Sequence, residues 1–513
     1  MSTLSMALTG LDTSNPVPGI YAEVRFAQGQ TAGDLGPKRV LILAPKTSAG
    51  SITVDTQIVG PLSDEADFIT YAGPGSVAHR MARAFLASCK SVEVYLLCPT
   101  AATGTAAVDL ITLTTTATAN GVLTITFAGE DIDVPITTGD TPTVIGDAAV
   151  IAFNNRTWLP ATAANASGVV TFTGKIAGVD LNSIRFRAKI TGTGVGTTVA
   201  PTADTAFGAS AVGAAAIGVG TISYTAALAT MLARSFDYIL AGVQLAAPID
   251  ALLDQVSIQA EPSTGFRQKC IFGAALTPSA AVTLASGTSM NRPRARLVNA
   301  EECPVEHYVL CATVGASMIK EETVDPSFNF DSYGAKPGQT LILSAPYNDS
   351  ARPTMTELKT MLNGGVTPIA YTDGGQPYVV RSITTYCKNG SNFDYRVRDS
   401  HVVCIADKFA SDQVAKFAAS PWTKVTSDPV AGAREPAPEF ATPRRIKASV
   451  EQLVSDYVDA GWLDPAKRQA TIDGIQVGQD PSLPSRINIS VPLYSAVLLH
   501  QHALLVKESS AAT

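Results

Sequence analysis

Charge is scarce in this chain. Of 513 residues only 16% are Asp, Glu, Lys or Arg, against roughly 25% in ordinary soluble proteins, and 46% are hydrophobic. A surface so poor in charge is expected to be covered by partners over much of its area. Lysine and arginine nowhere cluster with interleaved aromatics and the net charge is −7, so the footprint of a nucleic-acid binder is missing. No apolar run reaches the ~18–20 residues that cross a bilayer; the Ala/Gly-rich stretch from Phe207 to Gly220 is too short and too weakly apolar. Met1 to Pro18 lacks both a basic n-region and a continuous apolar h-region, which reads against a secretion signal and leaves the product in the cytoplasm where it is made. The seven cysteines never form a CxxC pair, and Cys98, Cys270, Cys311 and Cys404 lie in apolar runs that suit inert packing. Their odd number leaves an intermolecular disulfide open.

What is present is a long alternation of patterns. The length exceeds one core, since single cores stop growing near ~250–300 residues. A polar arm ends at Pro16-Val17-Pro18-Gly19. Ile20, Ala22, Val24 and Phe26 then alternate with Tyr21, Glu23 and Arg25, as in a half-buried strand. From Lys38 onward short apolar runs (Val40–Ala44, Val92–Cys98, Tyr238–Leu245, Cys270–Ala275, Arg296–Asn299 and Tyr308–Val314) read as strands. Amphipathic stretches between some of them read as helices, one capped by Ser76 and carrying Val77, Met81, Ala84 and Phe85. Such alternation predicts a doubly wound α/β layer.

The layer is interrupted from about Ala101 to Gly220, a segment with 23 threonines and no cysteine or tyrosine. Its alternating strands, Val122–Phe127 and Val169–Thr173, and one helix near Thr143–Asn154 predict a mostly β outer domain budding from a loop. After Pro346 a third unit is expected. Thr354 and Glu357 form a capping box for a helix ended by Gly364, and a hairpin joins Val366–Thr372 to Tyr378–Tyr386 through Asp373-Gly374-Gly375. A helix runs through Val402, Val403, Ala406 and Phe409. Thr442 and Pro443 open a long one carrying Ile446, Val450, Leu453 and Tyr457. Two strands close the chain, the alternating Ile487, Ile489, Val491 and Leu493, and the nearly continuous Ala496–Val506.

Chemistry-bearing constellations are weak. Gly287-Thr288-Ser289-Met290 looks like the nucleophile motif of subtilisin-type proteases, which keeps a serine hydrolase on the α/β layer as the alternative function. None of the five histidines stands in the His-Gly context that such a base needs, and Asn follows Met290 where those proteases favour Ala. His500 and His502 would share one side of a strand, with no third metal ligand nearby. Gly192, Gly194 and Gly196 lack the strand, helix and GK[ST] of a phosphate loop. The carboxylates form no close apolar pair. The reading is therefore no enzyme, no cofactor and no metal. Both chain ends carry strands on polar arms without an adjacent hairpin partner. They can add to another molecule's sheet or pair with each other within one subunit.

Several segments together resemble the tail sheath proteins of contractile phages, particularly the Mu-like branch. They are Pro18-Gly19-Ile20-Tyr21; Tyr71-Ala72-Gly73-Pro74-Gly75-Ser76 with His79-Arg80-Met81; Arg352-Pro353-Thr354 to Glu357; Leu362 through Pro368; Val379 through Tyr386; and Ile487 through Leu493. In the insertion, Gly139-Asp140-Thr141 and Lys175 with Asn182-Ser183-Ile184-Arg185 are similar to the outer domain of that family. The resemblance implies an α/β middle domain that is subtilisin-like in topology alone, and terminal arms exchanged between neighbouring subunits. It divides the chain into an arm and strand (1–26), a first α/β part (27–100), the outer β domain (101–220), a second α/β part (221–345) and an α+β C-terminal domain facing the tube (346–513). Ile20, Tyr21, Val24, Phe26, Ile487, Ile489, Val491, Leu493, Leu498 and Leu504 become inter-subunit connectors, and Arg444, Arg445 and Lys447 the tube-facing cations. The implied partners are further copies in stacked hexameric rings, the tail tube protein, and baseplate and terminator proteins. The implied location is a virion tail assembled in the bacterial cytoplasm.

Overall fold

The computed structural model describes residues 38–498, apart from residues 203, 211–212, 233, 288–289, 347, 391 and 431–433. The architecture is mixed α/β with several sheets. Eight strands form the largest, in the order Pro377–Val379, Val366–Tyr371, Ala295–Asn299, Lys269–Ala274, Tyr238–Ala241, Arg39–Leu43, Glu93–Leu97 and Ile58–Leu62. The six inner strands run parallel and both edge strands antiparallel.

Period-two geometry sends alternate residues of each inner strand to opposite faces. Val40 and Ile42 enter a core with helices Glu65–Ala72, Val77–Ser88 and His307–Val324. Leu41 and Leu43 enter a second core with helices Thr225–Met231, Ala246–Gln259, Pro278–Ala285 and Met355–Asn363. Burial on both faces explains the continuous apolar runs, each full burial of a Leu, Val or Phe contributing roughly 1.5–3 kcal/mol. Close approach is set by Gly273, where an added Cβ would lie 2.0 Å from the His307 carbonyl oxygen.

The run Tyr308–Val314, expected as a strand, lies instead inside the helix His307–Val324. This helix is buried on nearly every side, so its residues show no apolar stripe, and a short apolar window cannot tell it from a strand. A second difference concerns Val366–Tyr371. The hairpin forms, with Ile369 opposite Val379, yet its first strand also pairs in parallel with Ala295–Asn299, so it belongs to the large sheet. The second strand stops at Val379. Beyond it the chain is held by threonine side chains: Thr367 Oγ1 of the first strand donates to the Ile383 carbonyl at 3.1 Å and Thr384 Oγ1 to that of Val397 at 2.8 Å.

Residues 106–206 make two four-stranded sheets. The helix Pro142–Asn154, capped by Thr141, packs with them. Phe127, Phe153, Phe172, Phe186 and Phe207 fill the space between, neighbouring ring centroids lying 4.9–6.1 Å apart. The edge strand Glu130–Ile136 exposes Asp131, Asp133 and Pro135, side chains that discourage edge-to-edge pairing. Buried Arg80 fastens this unit to the large sheet's helices. Its guanidinium donates to Glu306 at 2.8 and 3.0 Å and to the Ala128 carbonyl at 3.2 Å.

Candidate assembly interface

The C-terminal part is built on the helix Pro443–Asp459. Thr442 Oγ1 accepts the Arg445 amide at 3.2 Å, Pro443 supplies a preset first turn, and Gly461 with φ +77° ends the run. Ile446, Val450, Leu453, Val454 and Tyr457 fall on one buried face. There they meet Ile405 and Phe409 of the helix Ser400–Ala418, whose existence the apolar spacing anticipated. Tyr457 packs edge-on against Phe409 at 5.5 Å and donates to Asp412 at 2.8 Å. Burial, then the Asp412 carboxylate, pushes its phenol pKa up.

Against this core lies a small antiparallel hairpin of Gln476–Gln479 and Ile487–Ser490, with Val477 opposite Ile489. The first of the two closing strands thus has an intrachain partner only a few residues upstream, which corrects the expectation that it had none; the second, Ala496–Val506, lies mostly outside the described residues. The sequence hid this partner because Gln476-Val477-Gly478-Gln479 is short and polar. The loop between them is pinned by Asp480, which accepts the amides of Ser482 and Leu483 at 2.8 and 3.0 Å and the Asn488 amide group at 2.9 Å.

The hairpin's apolar side is incompletely covered. Ile487, Ile489 and Val491 pack on the core yet remain half-buried, whereas Leu493 is buried. Each strand pairs with only one other among the described residues. After Leu493 the chain crosses the end of the long helix through a bridge between Leu463 and Ser495, and the Ala496 carbonyl meets His401 Nε2 at 3.1 Å. Tyr494 and Val497 then face solvent, Val497 at 91% exposure. Leu498 is half-buried; Ile20, Tyr21, Val24, Phe26 and Leu504 lie outside the described residues.

The three basic residues of the long helix do different things. Arg445 donates to the carbonyls of Pro436, Ala437 and Phe440 at 2.6–2.9 Å and so clamps the preceding loop. Arg444 is exposed and bonded to Glu435; Lys447 is half-buried and 3.9 Å from Glu451.

Sequence reading missed a buried ionic seam between the large sheet and the helix Ser400–Ala418. Arg296 binds Glu322 at 2.6 and 3.1 Å and touches Cys404 at 3.2 Å, while Tyr238 donates to Glu322 at 2.7 Å. Burial works against the Arg296 cation, but Glu322 outweighs it and the pKa is raised. Arg294 and Lys269 both meet Asp407. The available signal was Arg294 and Arg296 leading into the apolar Leu297-Val298.

Ser289, His500 and His502 lie outside the described residues. His79 Nδ1 accepts the Gly75 amide and Nε2 faces Glu65, each at 3.0 Å. His307 meets Ser183 at 3.0 Å, but burial pushes its pKa down to about 3, too low for a general base near neutrality. All seven cysteines are buried and free, burial pushing the thiols of Cys98 and Cys303 up to about 12. Among the described residues no helix is long and apolar enough to cross a membrane, and no group of three or more His, Cys, Asp or Glu is placed to hold a metal.

The resemblance read from the sequence is borne out by comparison. The chain is 22% identical over 516 residues to the Mu-like prophage FluMu tail sheath protein of Haemophilus influenzae, covering 98% of this chain and 99% of that one. Among solved structures, it is similar to a sheath tail protein from Desulfitobacterium hafniense (13% identity, TM-score 0.45, 93% of this chain and 100% of that one). It is also similar to the sheath of an extracellular contractile injection system, PVC, in the contracted state (11% identity, TM-score 0.47, 97% and 99%). No family model matches the sequence.

Proposed function

We propose that this chain is the subunit of a contractile tail sheath. It polymerises as stacked hexameric rings around a tail tube and shortens to drive the tube through a bacterial envelope, and it is a structural protein with no catalysis of its own. The observation that carries the reading is the end-to-end likeness to a relative named as a tail sheath protein. The half-covered hairpin of Gln476–Gln479 and Ile487–Ser490 supplies a physical means, because an incoming strand gains main-chain hydrogen bonds at its open edge and covers Ile487, Ile489 and Val491.

In this reading residues 1–26 form the arm that a neighbouring copy receives, residues 101–220 face outward, and residues 346–513 face the tube. Exposed Arg444 and half-buried Lys447 are the cations offered to the tube, while Arg445 is committed to its own loop. Baseplate and terminator proteins close the two ends of the sleeve, in a virion tail assembled in the bacterial cytoplasm. Contraction needs only a modest gain per subunit, since a few kcal/mol from a changed interface sums over the polymer. No observation favours the serine hydrolase.

Negative-stain microscopy of the purified full chain tests the proposal. Striated sleeves of uniform diameter are expected. A monodisperse monomer at high concentration would contradict it.

A further inference from the structure

The insertion meets the helices of the large sheet at the Pro74-Gly75 turn. His79, 1% exposed on the helix Val77–Ser88, stands directly behind that turn. Its Nδ1 accepts the Gly75 amide at 3.0 Å, and its Nε2 lies 3.0 Å from the Glu65 carboxylate. An amide can only donate, so Nδ1 bears no proton; the ring is neutral, with its single proton on Nε2 and directed at Glu65. The Ser76 hydroxyl caps the helix by accepting the His79 amide at 3.0 Å, which fixes the backbone from which the ring projects.

The other side of the turn belongs to the insertion. Lys175, on the strand Val169–Ala177, donates to the Pro74 carbonyl at 3.3 Å and to that of Thr157 at 2.8 Å. Contact is close at Gly75 as well, where φ is +73° and an added Cβ would lie 2.2 Å from the Leu159 carbonyl oxygen. Glu65 opens a second line of contact: Arg83 Nε lies 3.8 Å from it, and the Arg83 guanidinium sits 4.2 Å over the Trp158 ring of the insertion. Imidazole, turn and insertion are thus in series.

We propose that His79 is the acid-sensitive member of a latch between the insertion and the large sheet's helices, a second proton on its ring displacing the Pro74-Gly75 turn. A proton arriving on Nδ1 makes both ring nitrogens donors, so the Gly75 amide loses its acceptor and faces another donor. The capped helix end holds the ring, so the turn yields, and with it the Pro74 carbonyl that Lys175 grips. The Arg80 bonds to Glu306 and the Ala128 carbonyl do not pass through the imidazole, so the insertion stays attached and only this corner loosens.

The charged groups facing the ring are Glu65 from the helix Glu65–Ala72, Arg80 and Arg83 from its own helix, and Lys175 across the turn. Burial foremost, opposed by Glu65 and reinforced by Arg80 and Arg83, holds the imidazole pKa below the ordinary 6.5. The docked state therefore has its full stability from this group above about 6.5 and loses it as pH falls below that value. Asp180, also at the root of the insertion, acts in the opposite sense, because burial pushes its carboxyl up to about 7 and favours the native state at low pH. The direction of the pH response separates the two.

The test is hydrogen exchange read by mass spectrometry on the full chain at pH 8 and pH 5, with exchange times scaled for the intrinsic rate. Protection of peptides spanning 71–80 and 155–177 should fall at least fivefold at pH 5, while that of the inner strand Lys269–Ala274 stays unchanged. His79→Gln keeps an acceptor for Gly75 and a donor for Glu65 without a titrating group, and should hold its protection at both pH values. Glu65→Gln, on a half-exposed side chain, removes the carboxylate that favours the imidazolium and should move the loss of protection to lower pH. The proposal is overturned if the parent's protection at the turn is equal at the two pH values or rises at pH 5. It is overturned equally if His79→Gln loosens as the parent does, or if Glu65→Gln leaves the pH of loosening in place.

Discussion

Asp180 sits 4% exposed at the root of the insertion, and burial pushes its carboxyl pKa up to about 7. The native state therefore holds this proton over a range in which the unfolded chain, near the ordinary value of 3.8, has released it. Stability from this group is full below the unfolded pKa, falls as pH rises from about 4 to 7, and stays low above. Asp180→Asn should remove that fall. At about 1.4 kcal/mol for each pH unit separating the folded and unfolded values, the variant should gain roughly 2–4 kcal/mol over the parent at pH 8 and much less at pH 4, measured by urea unfolding at both pH values. Arg296 gives the complementary case. Arg296→Met leaves Glu322 buried without its bidentate partner and should cost about 3–5 kcal/mol, whereas Arg296→Met with Glu322→Leu should recover most of the loss. A single variant as stable as the parent would show that the seam is not held by this pair.

At the scale of elements, the caps were legible and the buried or short pieces were not. Ser76, Thr354 and Thr442, read as caps, all cap the helices that follow them, because a hydroxyl ahead of a helical period is a local signal that tertiary context seldom overrides. Thr442→Ala should cost about 1 kcal/mol and lower the unfolding midpoint measurably, since that helix carries the third core. The helix His307–Val324 escaped because burial on all sides erases the period on which such reading depends. The partner strand Gln476–Gln479 escaped because its pairing is decided by the Asp480 loop and the core beneath it, neither of which is visible in four mostly polar residues. For the same reason the clamp made by Arg445 is invisible in the sequence. Only the folded loop brings the carbonyls of Pro436, Ala437 and Phe440 to its guanidinium.

At the scale of the whole molecule, the parallel strands and the β-rich insertion could be read from patterning, since burial on two faces writes continuous apolar runs and burial on one face writes alternation. What patterning leaves open is whether the terminal strands are satisfied within one copy or between copies. Pairs of engineered cysteines decide this directly, because all seven native thiols are buried and free. Tyr21→Cys, Glu23→Cys or Arg25→Cys, each combined with Ser490→Cys and oxidised in the purified full chain, samples the reachable registers of the arm against the open edge. Exchange between copies should give a ladder of covalent dimers and higher multimers on a non-reducing gel for at least one pair. A disulfide confined to single chains, with every pair remaining monomeric, would contradict it.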